Sequence, residues 1–229
     1  VYKRQSVTWG FMKNDPDGPG GQLLTKVLRN NSSNPSFTVD IVGWSAVPHT
    51  GSVAGTLSRP LSGGVDDGPV LQLACTTGGV GSFNIFNALS LPGGGEDVVA
   101  GDVLTYSAYV RVNRPGNYYV SIDVYSVDPA TGAFTLTQTV DGTPTSVLAG
   151  TWTRLATTLN GVTAGPAGRK LKARVRVMTP SLTWAVNDLV KVDQVMYEEG
   201  LVASPYADGN TAGWAWGGLP NQSESYSNV

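Results

Sequence analysis

The stretch Val103–Val127, VLTYSAYVRVNRPGNYYVSIDVYSV, constrains the chain most, because it holds two runs of two-residue alternation separated only by Asn-Arg-Pro-Gly-Asn. In the first run Leu104, Tyr106, Ala108, Val110 and Val112 share a face, and Thr105, Ser107, Tyr109 and Arg111 share the other. In the second, Tyr118, Val120, Ile122 and Val124 oppose Tyr119, Ser121, Asp123 and Tyr125. A two-residue period belongs to a strand with one buried face. Pro115-Gly116 supplies a preset φ followed by a permissive one, so the two runs are expected to pair as an antiparallel hairpin. Tyr106, Val110, Ile122 and Val124 are expected in the core, with Tyr109, Tyr119 and Tyr125 on the wet faces.

The rest of the chain repeats this style. Candidate strands follow at Phe37–Ile41, Gly55–Arg59, Val70–Thr76, Ser82–Leu91, Ala133–Val140, Trp152–Leu159, Leu171–Met178 and Asp188–Tyr197. Between them lie SGGVDDGP, PGGGEDVVAGD, DPATG, DGTPTS, NGVTAGPAG and TPSLTW, read as loops because Gly, Pro, Asp and Asn dominate them. No segment of helix length carries a 3.6-residue period. About ten short strands with such punctuation predict an all-β chain, an antiparallel β-sandwich with Greek-key or jelly-roll wiring. Val175 and Val192 fall on the apolar parity of their strands and join the expected core.

The ends read differently. Residues 1–33 carry few clean periods around NDPDGPGG and are expected to form an irregular N-terminal arm; residues 34–200 form the sandwich. Residues 201–229 form a C-terminal tail in which Trp214 and Trp216 need burial but have no strand of their own. Both tryptophans are therefore candidate assembly contacts. Val1 stands where a translated chain has Met, so the chain is read as a processed protein or a piece of a longer one.

Charge narrows the function. Charged residues make up 14% and the net charge is -2, which is no footprint for nucleic acid. No apolar run approaches the roughly 18 residues of a membrane span. His49, the only histidine, stands in VPHTG, a turn context, so triads and His-based metal sites lack parts. Asp66-Asp67, Glu96-Asp97 and Glu198-Glu199 are paired only in sequence, and adjacent acids point apart instead of flanking one glycosidic bond. No enzyme is expected. The single Cys75 is read as a small buried hydrophobe.

Sugars are held by aromatic faces and by planar polar side chains that bond hydroxyls. The wet faces offer Tyr109, Arg111, Tyr119, Asp123 and Tyr125, and Leu171–Met178 adds Lys172, Arg174 and Arg176. If these strands share a sheet, the set is either a sugar face or ordinary cross-strand decoration. Trp184, in PSLTWAVND, is either a second platform at the rim or a core residue.

One further pattern spans most of the chain. NPSF with the following Trp44, TYSAYVRV, GTWTRLATT, VKVDQVMYEEG, PYADG and Trp216-Gly217-Gly218-Leu219-Pro220-Asn221-Gln222-Ser223 stand in this order over Asn34 to Ser223. Together they resemble the β-jelly-roll carbohydrate-binding modules of cellulases and xylanases, and more closely the copies carried by minor tail proteins of actinobacterial phages. The resemblance implies a non-enzymatic virion protein, of the tail or tail tip, whose partners are other virion proteins, copies of itself and host surface polysaccharide. It assigns Trp152 to the core and implies a structural Ca²⁺ held by Asp193 with Glu198 behind it. A capsid-decorating protein and a module of a secreted bacterial glycoside hydrolase are the alternative readings.

Overall fold

The computed structural model describes residues 29–30, 37, 41–87, 96–207, 211–212, 214–216 and 225–227. Among these residues there is no helix, and every regular element is a strand. In chain order they are β1 (Arg29–Asn30), β2 (Trp44–Gly51), β3 (Ala54–Ser58), β4 (Leu71–Thr77), β5 (Gly79–Asn87), β6 (Glu96–Val98), β7 (Val103–Val112) and β8 (Gly116–Val127). These are followed by β9 (Phe134–Asp141), β10 (Thr145–Val147), β11 (Thr153–Asn160), β12 (Lys170–Met178), β13 (Leu182–Trp184), β14 (Leu189–Glu199), β15 (Trp214–Trp216) and β16 (Ser225–Ser227).

Two antiparallel sheets face each other as a β-sandwich of jelly-roll type. The larger runs β10-β8-β12-β5-β13, with β9 on β8, β6 on β12 and β2 on β5; the smaller runs β11-β7-β14-β4-β3. The hairpin expected within 103–127 does not form. β7 and β8 belong to opposite sheets, and the residues between them cross the sandwich. The reason is in the alternation itself: each run has one apolar face, and pointing both at a shared core buries Tyr106, Ala108 and Val110 against Val120, Ile122 and Val124, all 0% exposed. The crossing is pinned from outside. Leu189 N donates to Asn113 Oδ1 at 2.7 Å, Arg114 Nε donates to the Thr183 carbonyl at 3.1 Å, and the Tyr118 hydroxyl donates to the Arg114 carbonyl at 2.7 Å. Gly116 serves close approach and not a positive φ, because a Cβ there would lie 2.8 Å from Pro180 Cγ.

The expected core residues Tyr106, Val110, Ile122, Val124, Val175 and Val192 are buried. Trp152 is not: it precedes β11 and is half-buried, since Leu155, Thr157 and Leu159 hold the inward parity of that strand. Trp184 is core. It is 2% exposed, its Nε1 donates to the Gly81 carbonyl at 2.8 Å, and it meets Phe83 edge-to-face at 5.1 Å. That location removes it as a sugar platform. Cys75 is buried as expected.

Several boundaries move. Phe37, read as a strand start, is buried with φ +54 and packs its ring against Trp44; the strand begins at Trp44, and residues 38–40 lie outside the described set. His49 sits in β2 at an irregularity between Pro48 and Thr50, not in a turn. β6, β10 and β13 arise in segments read as loops, because a neighbouring strand edge completes their hydrogen bonds. The tail also has strands: β15 pairs β16, which pairs β1, so segments from both ends meet in a small antiparallel sheet. The side chains of Trp214 and Trp216, proposed as assembly contacts, lie outside what is described, as do residues 1–28.

The interior also encloses polar atoms, the Tyr106 hydroxyl among them. The Tyr106 hydroxyl is fully enclosed with no hydrogen-bond partner, and burial pushes its pKa far up. An unpaired buried hydroxyl costs about 1–3 kcal/mol. Tyr106→Phe should therefore raise stability by about 1 kcal/mol in urea denaturation; a loss of stability would show that the hydroxyl has a partner in solution.

Candidate functional site

The two outer faces of the sandwich differ in what covers them. On the smaller sheet the outward residues of β7 are largely hidden by the chain itself. Thr105 and Ser107 are 0% exposed, because the segment after β14 crosses them. Thr105 Oγ1 donates to the Gly200 carbonyl at 2.6 Å, Thr158 Oγ1 donates to the Leu201 carbonyl at 3.2 Å, and Ser204 N donates to the Glu198 carboxylate at 3.1 Å. Arg154 donates to Ser107 Oγ at 2.9 Å and to the Ser204 carbonyl, and its guanidinium lies 6.0 Å from the Tyr109 ring. Farther along the same face the 60–69 loop lies on Lys191 and Asp193. Tyr109 and Arg111 are half-buried on this face, so the sandwich core separates them from the other predicted sugar residues.

The larger sheet brings the remaining set together. In register, Asp123 lies opposite Arg174, Ser121 opposite Arg176 and Tyr125 opposite Lys172 on β8 and β12, and Phe86 of β5 lies opposite Arg176. The cluster is built around a carboxylate. Asp123, its side chain 2% exposed, accepts from Arg174 Nη2 at 2.7 Å, Arg176 Nη2 at 2.9 Å and Thr139 Oγ1 at 2.8 Å. The Arg174 guanidinium is clamped between the Phe86 ring, 4.5 Å away, and the Tyr125 ring, 4.9 Å away, and also donates to the Tyr125 hydroxyl at 2.5 Å. Cation–π stacking of a partly desolvated guanidinium fixes its plane. Burial first, then the Asp123 carboxylate, raises the Tyr125 pKa, and burial with Asp141 does the same for Tyr119. Both phenols stay neutral, and the Tyr125 hydroxyl donates within the cluster to Asp123 Oδ2 at 3.4 Å.

The row extends beyond the residues singled out from sequence. Phe134 of β9 meets Tyr125 edge-to-face at 6.5 Å and is 38% exposed, and Leu136 beside it is 52% exposed. Phe86, Arg174, Tyr125 and Phe134 thus run across four strands, β5, β12, β8 and β9. Phe134 and Val140 have the same parity, yet Val140 packs inward. A bulge opposite Val124 and Tyr125 inserts Thr137 and turns Phe134 and Leu136 to the outside. No period count reveals that.

No family model and no curated protein matches the chain. Among solved structures the chain is similar to the enzymatically active domain of tailspike protein 4 of bacteriophage CBA120, at 15% identity over 74% of this chain and 21% of that one, TM-score 0.45. It is also similar to the CBM22-1–GH10 modules of xylanase 10B of Clostridium thermocellum, complexed with xylohexaose, at 15% identity over 79% of this chain and 30% of that one, TM-score 0.48. A third is the CBM22-1 xylan-binding domain of Paenibacillus barcinonensis Xyn10C, at 16% identity over 77% and 95%, TM-score 0.43. The chain spans less than a third of the first two. At such values the likeness says nothing about ligand or assembly.

The implied calcium ligands part company. Glu198 is engaged with Ser204 N under the crossing segment. Asp193, 3% exposed, accepts from Val65 N and Gln194 N, each at 2.7 Å, and burial pushes its pKa up to about 6 against those two bonds. A Cβ on Gly64 would lie 2.5 Å from Asp193 Oδ2, 2.9 Å from the Gly68 carbonyl oxygen and 3.0 Å from that of Pro69, so three oxygens converge there. Carboxylate and carbonyl oxygens are what Ca²⁺ takes. Among the described residues no cluster of three His, Cys, Asp or Glu forms, and Asp66 Oδ2 accepts from Gln194 Nε2 at 2.6 Å, so Asp193 and those carbonyls are what this end of the strand has to offer an ion, without Glu198.

Two outcomes follow. Asp123→Ala leaves Arg174 without a carboxylate and Arg176 with only Asp141, at 3.5 Å, and should cost about 3 kcal/mol in urea denaturation; a loss under 1 kcal/mol would show that the cluster is surface decoration. Calcium added to chelator-treated protein should raise Tm, and Asp193→Asn should abolish the rise while Glu198→Gln keeps it. An equal response from all three proteins would remove Asp193 from the site.

Proposed function

We propose that this domain is a non-enzymatic glycan-binding structural part of a phage virion, in the tail or tail tip, and that it binds host surface polysaccharide through the outer face of its larger sheet. The observation that carries the glycan reading is the unequal covering of the two faces. The smaller sheet is partly covered by the 60–69 loop and the 200–204 segment, whereas on the larger sheet Phe134 and Leu136 stand exposed beside Tyr125, in a row whose charged groups are satisfied by one another. Such a row offers apolar ring surface to sugar C–H groups. The virion placement rests on the sequence resemblance over Asn34 to Ser223, and copies of the chain with other virion proteins are its expected partners.

The test is a pull-down of purified protein on cell walls of candidate hosts and on insoluble polysaccharides, with immunogold labelling of particles. Phe134→Ala should weaken wall binding about tenfold, a loss of roughly 1.4 kcal/mol, while Tyr109→Ala leaves it unchanged and no reducing sugar is released. Loss with Tyr109→Ala but not with Phe134→Ala would move the site to the other face. Label on the capsid would favour the decorating reading, and absence from particles would favour a secreted module.

A further inference from the structure

Asn160-Gly161 is the single Asn-Gly pair of the chain, and it closes β11 at an exposed corner of the sandwich. An asparagine side chain can be attacked by the main-chain nitrogen of the next residue, and glycine in that place sets no Cβ in the way. Gly161 stands at φ +93, and a Cβ built on it would meet nothing within 4 Å. Among the described residues no hydrogen bond reaches the Asn160 carboxamide or the Gly161 N–H, so both reacting groups are at liberty. Comparable positions are restrained. Asn113 gives both ends of its carboxamide to the 187–189 segment, Asn87 Oδ1 accepts from Val175 N at 2.9 Å, and Asn84 is buried. At Asp141-Gly142 the glycine nitrogen is occupied, donating to the Val120 carbonyl at 2.8 Å. Asn117 and Asn187 precede Tyr118 and Asp188, whose side chains crowd the approach.

We propose that Asn160 is a site of spontaneous deamidation. The Gly161 amide gives up its proton to hydroxide, and its nitrogen bonds to Asn160 Cγ as the Cγ–Nδ2 bond breaks and ammonia leaves with a proton from water. One water then opens the resulting succinimide. Opening at the Cγ carbonyl leaves aspartate, and opening at the main-chain carbonyl leaves isoaspartate, with the main chain rerouted through Cβ. The location gives that product a structural effect. Asn160 pairs with Val103 at the end of the β11–β7 ladder, and just beyond it Val162 N donates to the Asp102 carbonyl and Gly101 N to the Val162 carbonyl, both at 2.8 Å. Gln138 of β9 clasps the same turn from the other sheet, donating to the Gly161 carbonyl at 3.2 Å and accepting from Thr163 N at 2.8 Å. An extra main-chain atom at residue 160 throws these bonds out of register, so isoaspartate loosens a corner that joins the two sheets.

This inference is independent of the glycan reading and shares no residue with the aromatic row. To test it, the full chain is aged in mildly alkaline buffer, digested and read by mass spectrometry, with isoaspartyl methyltransferase labelling to mark the isomer. The Asn160 peptide should gain the mass of amide-to-acid conversion before any other described asparagine does, mostly as isoaspartate, and faster as pH rises. Aged protein should have a lower Tm. Asn160→Ser, at an exposed position with no partner among the described residues, should fold with the wild-type Tm and neither take the label nor lose Tm on ageing. The chain unfolded in urea supplies the reference rate, and the folded chain should stay within tenfold of it. A folded rate more than tenfold below that reference, another described asparagine converting first, or conversion that leaves Tm unmoved would overturn the proposal.

Discussion

The whole architecture depends on two apolar strand faces being buried against each other and not side by side. β7 and β8 are adjacent in sequence and joined by three residues, the distance at which a hairpin is the usual outcome. Each has one face of Val, Leu, Ile, Ala and Tyr, however, and a lone two-stranded pair would leave that surface in water. Crossing to the opposite sheet buries both faces in one step. The crossing then sets everything around it: β8 takes β12 as neighbour, β7 takes β11 and β14, and Asn113, Arg114 and Tyr118 tie the passage to the 183–189 segment.

The same division separates function from support. Polar residues occupy the outer parity of both sheets, so by composition the two faces look equivalent. The fold treats them differently. On the smaller sheet Thr105, Arg154, Thr158 and Glu198 address main-chain groups of the chain's own 200–204 segment, which converts a wet face into an internal one. On the larger sheet the polar groups are turned on each other: Asp123 gathers two arginines, and Arg174 is sandwiched by two rings. Pairing the charges internally leaves a surface that is aromatic, stiff and nearly neutral, suited to stacking more than to electrostatic capture.

Much of this was legible before any coordinates. The inward parity of β7, β8, β12 and β14 up to Val192 is printed in the alternation, and the outward placement of Tyr119, Tyr125, Arg174 and Arg176 follows from it. What escaped was whatever depends on a neighbour. The short strands β6, β10 and β13 have too few residues to show a period and exist because an adjacent edge offers hydrogen bonds. The bulge in β9 reverses which side Phe134 faces, and the irregularity between Asp193 and Met196 does the same in β14. Trp184 looked like a loop platform because TPSLTW has the composition of a turn, yet its indole reaches the core and bonds the Gly81 carbonyl.

The sequence by itself determined that the chain is all-β, which residues of β7, β8 and β12 point inward, and that the parts of a histidine-based catalytic site are lacking. Those properties are local, since a two-residue period and an inventory of side chains need no partner to be read. Only the tertiary structure decided that Tyr109 and Arg111 lie across the core from Tyr125 and Arg174, that Phe86 and Phe134 complete the row, and that Asp193 and Glu198 serve different loops. Those outcomes turn on which strand edges meet and which loops fold over them. They are set by burial and hydrogen-bond closure among residues that are often fifty or more positions apart, and alternation within one strand carries no information about that distance.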